Sequence, residues 1–168
     1  DDYTTSTPGG ALNGASEYYA FQNSSRNRAI ETITAGSGND LVNLTYESSG
    51  EVYWQWDLAN GGVNASMWVD GGAGDDIIWG HNPGETLYGG ADNDWIDGGA
   101  GNDSLFGGAG NDSVVGGQGN DRLQGDDDND ILIDLSGNNT LYGGIGDDSA
   151  YGGTGNDTLL GDDGDDLI

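Results

Sequence analysis

The sequence predicts an all-β chain wound as a solenoid of short strands, and two observations predict it. From Gly71 to Ile168 the chain repeats in steps of nine without losing phase, as Gly-Gly-x-Gly-x-Asp-x-U-x with U apolar. That span is 168 − 70 = 98 residues, or ten nonads and eight residues more. The eighth position is apolar in every copy: Ile78, Leu87, Ile96, Leu105, Val114, Leu123, Leu132, Leu141, Ala150, Leu159 and Ile168. Self-similarity at a fixed period marks a stacked architecture, because one unit cannot bury its apolar face alone.

Each nonad divides into a turn of six residues and a strand of three. Glycine takes positive φ without a Cβ penalty, so Gly-Gly-x-Gly permits a tight turn with carbonyls aimed inward. The Asp at position six adds a carboxylate to that ring of oxygens. An oxygen-only ring suits a hard cation of Ca²⁺ size, which takes roughly six to eight oxygens and tolerates irregular geometry. The strand x-U-x sends U to one face and its neighbours to the other. The whole U column is therefore expected to face a narrow core between two sheets, and Arg122, at position seven, to point to solvent. Four copies of the nonad are complete: Gly98–Phe106, Gly107–Val115, Gly116–Gln124 and Gly152–Leu160. A fifth, Gly71–Trp79, opens the array.

These nonads resemble those of the RTX family, the hemolysin-type calcium-binding repeats of secreted bacterial proteins. The resemblance covers Gly71 to Ile168 and extends to Ala35–Asn43 (Ala-Gly-Ser-Gly-Asn-Asp-Leu-Val-Asn), with Asp40 at position six and Val42 at U. It does not cover the rest of the chain before Gly71. It implies a right-handed parallel β-roll, in which two nonads make one coil and loops on one edge recur at every second nonad. The position-six residues then form two columns. One is Asp76, Asp94, Asp112, Asp130, Asp148 and Asp166, without a gap. The other is Glu85, Asp103, Asp121, Asn139 and Asp157, with a longer acid at Glu85 and a neutral amide at Asn139.

The resemblance further implies stacked Ca²⁺ ions on both edges, each held between two loops of one column. The earlier loop gives the carbonyls of positions two and four, the later loop those of positions one and three, and both give their position-six side chains. One ion would take Gly99, Gly101 and Asp103 with Gly116, Gln118 and Asp121; another Gly90, Asp92 and Asp94 with Gly107, Ala109 and Asp112. Along the unbroken column the candidate ligands are Gly72, Gly74 and Asp76, then Gly89, Gly90, Ala91, Asp92 and Asp94, then Gly107, Gly108, Ala109, Gly110 and Asp112. They continue through Gly125, Asp127 and Asp130, then Gly143, Gly144, Ile145, Gly146 and Asp148, and end at Gly161, Asp163 and Asp166. Along the other column they are Gly98, Gly99, Ala100, Gly101 and Asp103, then Gly116, Gln118 and Asp121, and finally Gly152, Thr154 and Asp157.

Composition narrows the function. The chain has 168 residues, 33% of them apolar, and 34 glycines that largely punctuate the repeat. Its net charge is −27; Arg26, Arg28 and Arg122 are the only strongly basic residues. Nucleic acid and anionic membrane demand cationic contacts, which excludes both as partners. No apolar run reaches membrane-spanning length, so no membrane insertion is expected. Composition of this kind alone resembles that of a disordered chain; the nonad phase argues for order with ions bound, and disorder is expected without them. Cysteine is absent, so metal rather than disulfides would hold the fold, as suits an extracellular protein. The start at Asp1 without a signal pattern, and the stop eight residues into a nonad, are expected of a fragment or processed chain.

Three segments are expected: 1–34 as lead-in and N-terminal β cap, 35–70 as a first degenerate coil with a strand-forming insertion, and 71–168 as the roll. Asp1–Gly14 reads as a linker. Glu17–Gln22 (Glu-Tyr-Tyr-Ala-Phe-Gln) suits a covering strand. Ala29–Thr34 alternates like a strand, with Ile33 at U. Residues 44–61 interrupt the coil, and within them Glu51–Leu58 alternates Val52, Trp54 and Trp56 against polar neighbours. Gly62–Asp70 restores the phase with Val69 at U, but Met67 stands where an acid belongs, so no ion is expected there. A solenoid needs an atypical end unit to shield its first core layer, and the aromatic N-terminal third suits that role.

Aromatics recur at position nine: Tyr88, Phe106 and Tyr142 on one sheet, Trp79 and Tyr151 on the other. They serve either cross-strand packing or a surface for sugars or a protein partner. Catalytic residues are not expected. His81 is the only histidine, in the degenerate loop Gly80–Gly84, and no thiol exists. No Gly-Lys-Ser/Thr is present, and each glycine run leads to an Asp that repels phosphate. Three functions are left open. The first is a calcium-triggered folding module, joined to neighbouring domains of a larger secreted protein. The second is a unit that assembles end to end into a filament, surface layer or adhesin, and the third is a glycan-binding surface beside a polysaccharide-acting enzyme.

Overall fold

The computed structural model describes residues 18–19, 32–43, 68–80 and 84–168. Its described residues form strands, turns and loops and no helix, so no helix is long and apolar enough to cross a membrane. Fourteen strands make two seven-stranded parallel sheets. One sheet is built of short strands: β1 (Tyr18–Tyr19), β3 (Leu41–Asn43), β5 (Ile77–Trp79), β7 (Trp95–Asp97), β9 (Ser113–Val115), β11 (Ile131–Ile133) and β13 (Ser149–Tyr151). The other has six-residue strands: β2 (Thr32–Ser37), β4 (Trp68–Ala73), β6 (Thr86–Ala91), β8 (Ser104–Ala109), β10 (Arg122–Asp127), β12 (Thr140–Ile145) and β14 (Thr158–Asp163).

Odd and even strands alternate along the chain, so each coil contributes one strand to each sheet. Leu105 pairs with Leu123, Leu123 with Leu141 and Leu141 with Leu159. In the facing sheet Ile96 pairs with Val114, Val114 with Leu132 and Leu132 with Ala150. Coils of two nonads therefore stack in fixed register, the β-roll expected from the repeat. The nonads are less uniform than the repeat suggests. Strands of the second sheet run on through positions one to three of the next nonad, as Gly108 opposite Asp126 and Ala109 opposite Asp127 show. At the other edge only single bridges continue the ladder, Ala100–Gln118, Gln118–Ser136 and Ser136–Thr154.

The core is the U column. Val42, Val69, Ile78, Leu87, Ile96, Leu105, Val114, Leu123, Leu132 and Leu141 are all fully buried, and Ala150 nearly so. Each such side chain contributes about 2 kcal/mol relative to exposure. Two expectations change. Ile168 is 59% exposed and does not join the core, since among the described residues no strand stacks beyond it; Leu159, in the outermost described strand β14, is only partly buried. Arg122 does not extend into solvent. It is half-buried, with its guanidinium 5.0 Å from the Phe106 ring centre and 5.3 Å from that of Tyr142. The outward rings pack on one another: Tyr88 stacks on Phe106 with centroids 4.6 Å apart, Trp68 lies 5.4 Å from Tyr88, and Trp79 meets Trp95 edge-on at 5.4 Å.

The first coil is joined to the array by residues 44–67. β2 pairs with β4 and β3 with β5, so Asp40 lies against Asp76, four nonads on instead of two. β4 resumes the array in the same phase as β2, 36 residues on. The coil starts at Thr32, with Ile33 opposite Val69. β1 lies parallel to β3, Tyr18 opposite Leu41 and Tyr19 opposite Val42, and adds a strand at the end of the short-stranded sheet. The expected linker Asp1–Gly14, the strand Glu51–Leu58, the Met67 position and the His81 loop lie outside the described residues.

Candidate metal centre

The loops that join the sheets form two columns, one per edge. Glycines at positions two and four carry positive φ through the described array, for example Gly108 at 120° and Gly110 at 128°. At four places where glycine is missing, aspartate takes its place in the same region: Asp92 at 78°, Asp126 at 82°, Asp128 at 78° and Asp162 at 67°; Leu135, at position two of the loop that Asp134 opens, does not. Asp and Asn are among the few side-chain-bearing residues that adopt this region at modest cost. The turn geometry therefore survives the loss of Gly, and with it the inward aim of the main-chain carbonyls.

The position-six acids are held by a ladder that climbs each column. The amide N–H of Asp76 donates to Oδ1 of Asp94 at 2.7 Å, Asp94 to Asp112 at 2.7 Å, Asp112 to Asp130 at 2.8 Å, Asp130 to Asp148 at 2.8 Å and Asp148 to Asp166 at 3.0 Å. On the opposite edge Glu85 donates to Asp103 at 2.7 Å, Asp103 to Asp121 at 2.8 Å, Asp121 to Asn139 at 2.9 Å and Asn139 to Asp157 at 2.9 Å. One carboxylate oxygen per residue is thus fixed by the preceding coil. The other is buried and meets no donor at Asp76, Asp94, Asp112, Asp121, Asp130 and Asp148. A buried acceptor left without a donor costs free energy, and a charged one costs more.

The pKa values record the same strain. Burial is the main cause; neighbouring carboxylates add to it, and the backbone N–H bond to Oδ1 opposes it. Asp76 and Asp112 are raised to about 6, Asp130 to about 7 and Asp94 to about 8, and Asp148 is raised as well. Column after column of acids kept this far from water is stable only if protons or cations neutralise them.

The space beside each orphaned oxygen is open because position one is glycine. A Cβ on Gly98 would stand 2.8 Å from Asp103 Oδ2 and 2.9 Å from the Gly116 carbonyl. A Cβ on Gly107 would crowd Asp112 Oδ2 and stand 2.8 Å from the Gly125 carbonyl. These cradles so bring a carboxylate oxygen of one loop to the position-one carbonyl of the loop one coil on. Glu85 reaches an equivalent place with its longer side chain, since a Cβ on Gly80 would lie 3.0 Å from its Oε2. Among the described residues no three acidic or histidine side chains converge as a conventional metal cluster. The donor set is main-chain carbonyls with pairs of carboxylates, all hard oxygen, and it fits Ca²⁺. At the last coil Asp157 and Asp166 are only half-buried and Asp163 is exposed, because no loop covers them.

Sequence reasoning missed two features. Position five forms a second, exposed ladder: Asn93 Oδ1 accepts from Asn111 N–H at 2.9 Å, and Asn120 Oδ1 from Asn138 N–H at 2.8 Å. The Asn or Asp that recurs at position five from Asp75 onward, except at Gly84, was its signal. The other is Asp134, which stands at position one of its nonad, where the remaining nonads from Gly71 onward have glycine. It is completely buried.

The two-sheet parallel stack with an oxygen cradle at every loop defines the class of calcium-binding β-roll. The family model of the RTX calcium-binding nonapeptide repeat (4 copies) matches residues 28–44, 68–82, 84–114, 106–133 and 133–168. The chain belongs to the RTX calcium-binding nonapeptide repeat family. No curated protein and no solved structure matches it.

Proposed function

We propose that this chain is a calcium-triggered folding module of a secreted protein, with a structural and not a catalytic role. The observation that carries this reading is the ladder of buried, donor-less Oδ2 atoms at Asp76, Asp94, Asp112, Asp130 and Asp148. At cytosolic Ca²⁺ levels these columns repel themselves, and the net charge of −27 keeps the chain open. An open chain passes a narrow export channel; outside the cell Ca²⁺ neutralises the columns, and its binding energy becomes folding energy. Neighbouring domains of the parent protein would then be presented or protected by a stiff roll. The packing of Tyr88 on Phe106, and of Arg122 on Phe106 and Tyr142, uses the outer aromatics for cross-strand contacts, which favours this reading over a glycan platform.

A circular dichroism titration from excess chelator into Ca²⁺ tests it. The expected result is a cooperative change from coil to β signal at about 10⁻⁴–10⁻³ M, the range of extracellular calcium modules. A full β spectrum in excess chelator near pH 8.5, where the acids are ionised, would overturn the trigger while leaving the fold in place.

A further inference from the structure

From Gly71 onward, the column through Asp121 contains the one place where the repeat loses a position-six carboxylate, Asn139. Its amide is oriented by the fold. Oδ1 accepts from the Asp121 N–H at 2.9 Å, as an aspartate would, and Nδ2 donates to the Gly152 carbonyl at 3.4 Å. Where each acid of the column offers a second oxygen, Asn139 offers an N–H donor, which repels a cation. By the repeat scheme two ion sites depend on this residue, one toward Asp121 and one toward Asp157.

The same loop carries Asp134 at position one. Its side chain is 0% exposed. Oδ1 is anchored by the Ser136 N–H at 3.0 Å, and Oδ2 has no donor. That oxygen points back toward the preceding loop. A Cβ on Gly116 would fall on Asp134 Oδ2, while standing 3.0 Å from Asp121 Oδ2. At Gly71, Gly80, Gly89, Gly98, Gly107, Gly125 and Gly143 the Cβ of position one would meet a carbonyl of the next loop; here it meets a carboxylate of that loop. Asp134 and Asp121 face each other within hydrogen-bonding reach, both buried, both with an acceptor oxygen that no donor serves. Only a cation or a shared proton can occupy the gap between them.

We propose that Asp134 is a calcium ligand outside the repeat pattern, replacing at the site between loops 116–121 and 134–139 the carboxylate that Asn139 lacks. This rests on the calcium reading above. The site toward Asp121 then keeps two carboxylates, Asp121 and Asp134, with the carbonyls of both loops. The site toward Asp157 has no such replacement, and its Gly152 carbonyl already accepts a hydrogen bond from Asn139 Nδ2.

The test is a count of bound Ca²⁺ by equilibrium dialysis, with calorimetric titration, on the whole chain. Asp134→Gly restores the repeat residue, so a purely repeat-based site would be unharmed or improved. The expected result is the reverse: one Ca²⁺ fewer, or one site weakened by about tenfold or more, since ligand charge sets calcium affinity. Asp134→Asn, which keeps the bond from Ser136 and the shape, is expected to show the same loss. Asp134→Gly combined with Asn139→Asp moves the carboxylate back to position six and is expected to recover the site. Unchanged calcium number and affinity in Asp134→Asn would overturn the assignment and leave a proton-sharing pair in its place, as would a double variant no better than Asp134→Gly. A wild-type chain that binds no Ca²⁺ would instead defeat the calcium reading itself.

Discussion

The amide N–H of Asp112 donates to Oδ1 of Asp130 at 2.8 Å, across one coil of the roll. Asp112 in turn accepts from Asp94 at 2.7 Å. One residue therefore links three coils, through its backbone amide on one side and its carboxylate on the other, while its Oδ2 lies in the cradle beside Gly107.

On the proposed calcium scheme Asp112→Ala removes a ligand shared by two stacked sites, and it removes a buried hydrogen bond from Asp94. It is expected to weaken calcium binding at both sites and to raise the midpoint of the Ca²⁺ folding titration several-fold. Asn139→Ala removes no charge, only the bonds to Asp121 and Gly152, and is expected to move the midpoint less. Matched titrations of the two variants decide the matter; equal shifts would contradict the pairing of ligands across one coil.

Leu123→Asp places an unpaired charge between Leu105 and Leu141 in the dry core. Its expected cost is on the order of 4 kcal/mol, with loss of the neighbouring coils even at saturating Ca²⁺. Arg122→Asp on the outer face forfeits two ring contacts worth about 0.5–1 kcal/mol each, so its melt is expected to fall only by a few degrees. Thermal melts in high Ca²⁺ compare them, and an order of damage opposite to this one would mean the strand faces are reversed.

Gly119 has φ at 145°, and a Cβ there would overlap the Gly101 carbonyl oxygen of the coil before. Gly119→Ala is expected to destabilise the calcium-loaded roll by more than about 2 kcal/mol. Gln118→Ala, one residue earlier and exposed, leaves the main-chain carbonyl in place and is expected to change stability by less than about 0.5 kcal/mol and calcium affinity hardly at all. Calorimetric titration of Gln118→Ala is the sharper check, because a large loss of affinity would mean the side chain, not the carbonyl, serves the ion.

In excess chelator the acid columns make stability depend on pH. Asp76, Asp94, Asp112 and Asp130 have folded-state pKa values of about 6 to 8 against 3.8 for an ordinary Asp, so the folded chain binds more protons than the unfolded one. Stability from these groups is complete below about pH 4 and is lost as pH rises through 6 to 8. Chelated protein is therefore expected to hold β structure near pH 4.5 and lose it toward pH 8.5. Calcium affinity is expected to rise over the same window, with protons released on binding. A chelated chain that gains β structure from pH 5 to 8 would show the sign to be wrong.

The nine-residue phase alone determined the strands, their inward column from Ile78 to Leu141 and the two files of acids, because stacking identical units leaves one register that buries every U residue. It determined the first coil at Ala35–Asn43 as well, since Asp40 and Val42 keep their places. Tertiary structure decided what depends on neighbours one coil away. The sequence cannot show that Arg122 is held between Phe106 and Tyr142, since those rings lie 16 and 20 positions from it in the chain and meet it only through sheet register. Ile168 has an inward position but no strand to cover it, and burial belongs to the stack and not to the residue. Asp134 is the clearest case. At position one it reads as a flaw in the repeat, and only the fold sets its carboxylate against Asp121, in the gap that Asn139 leaves uncharged.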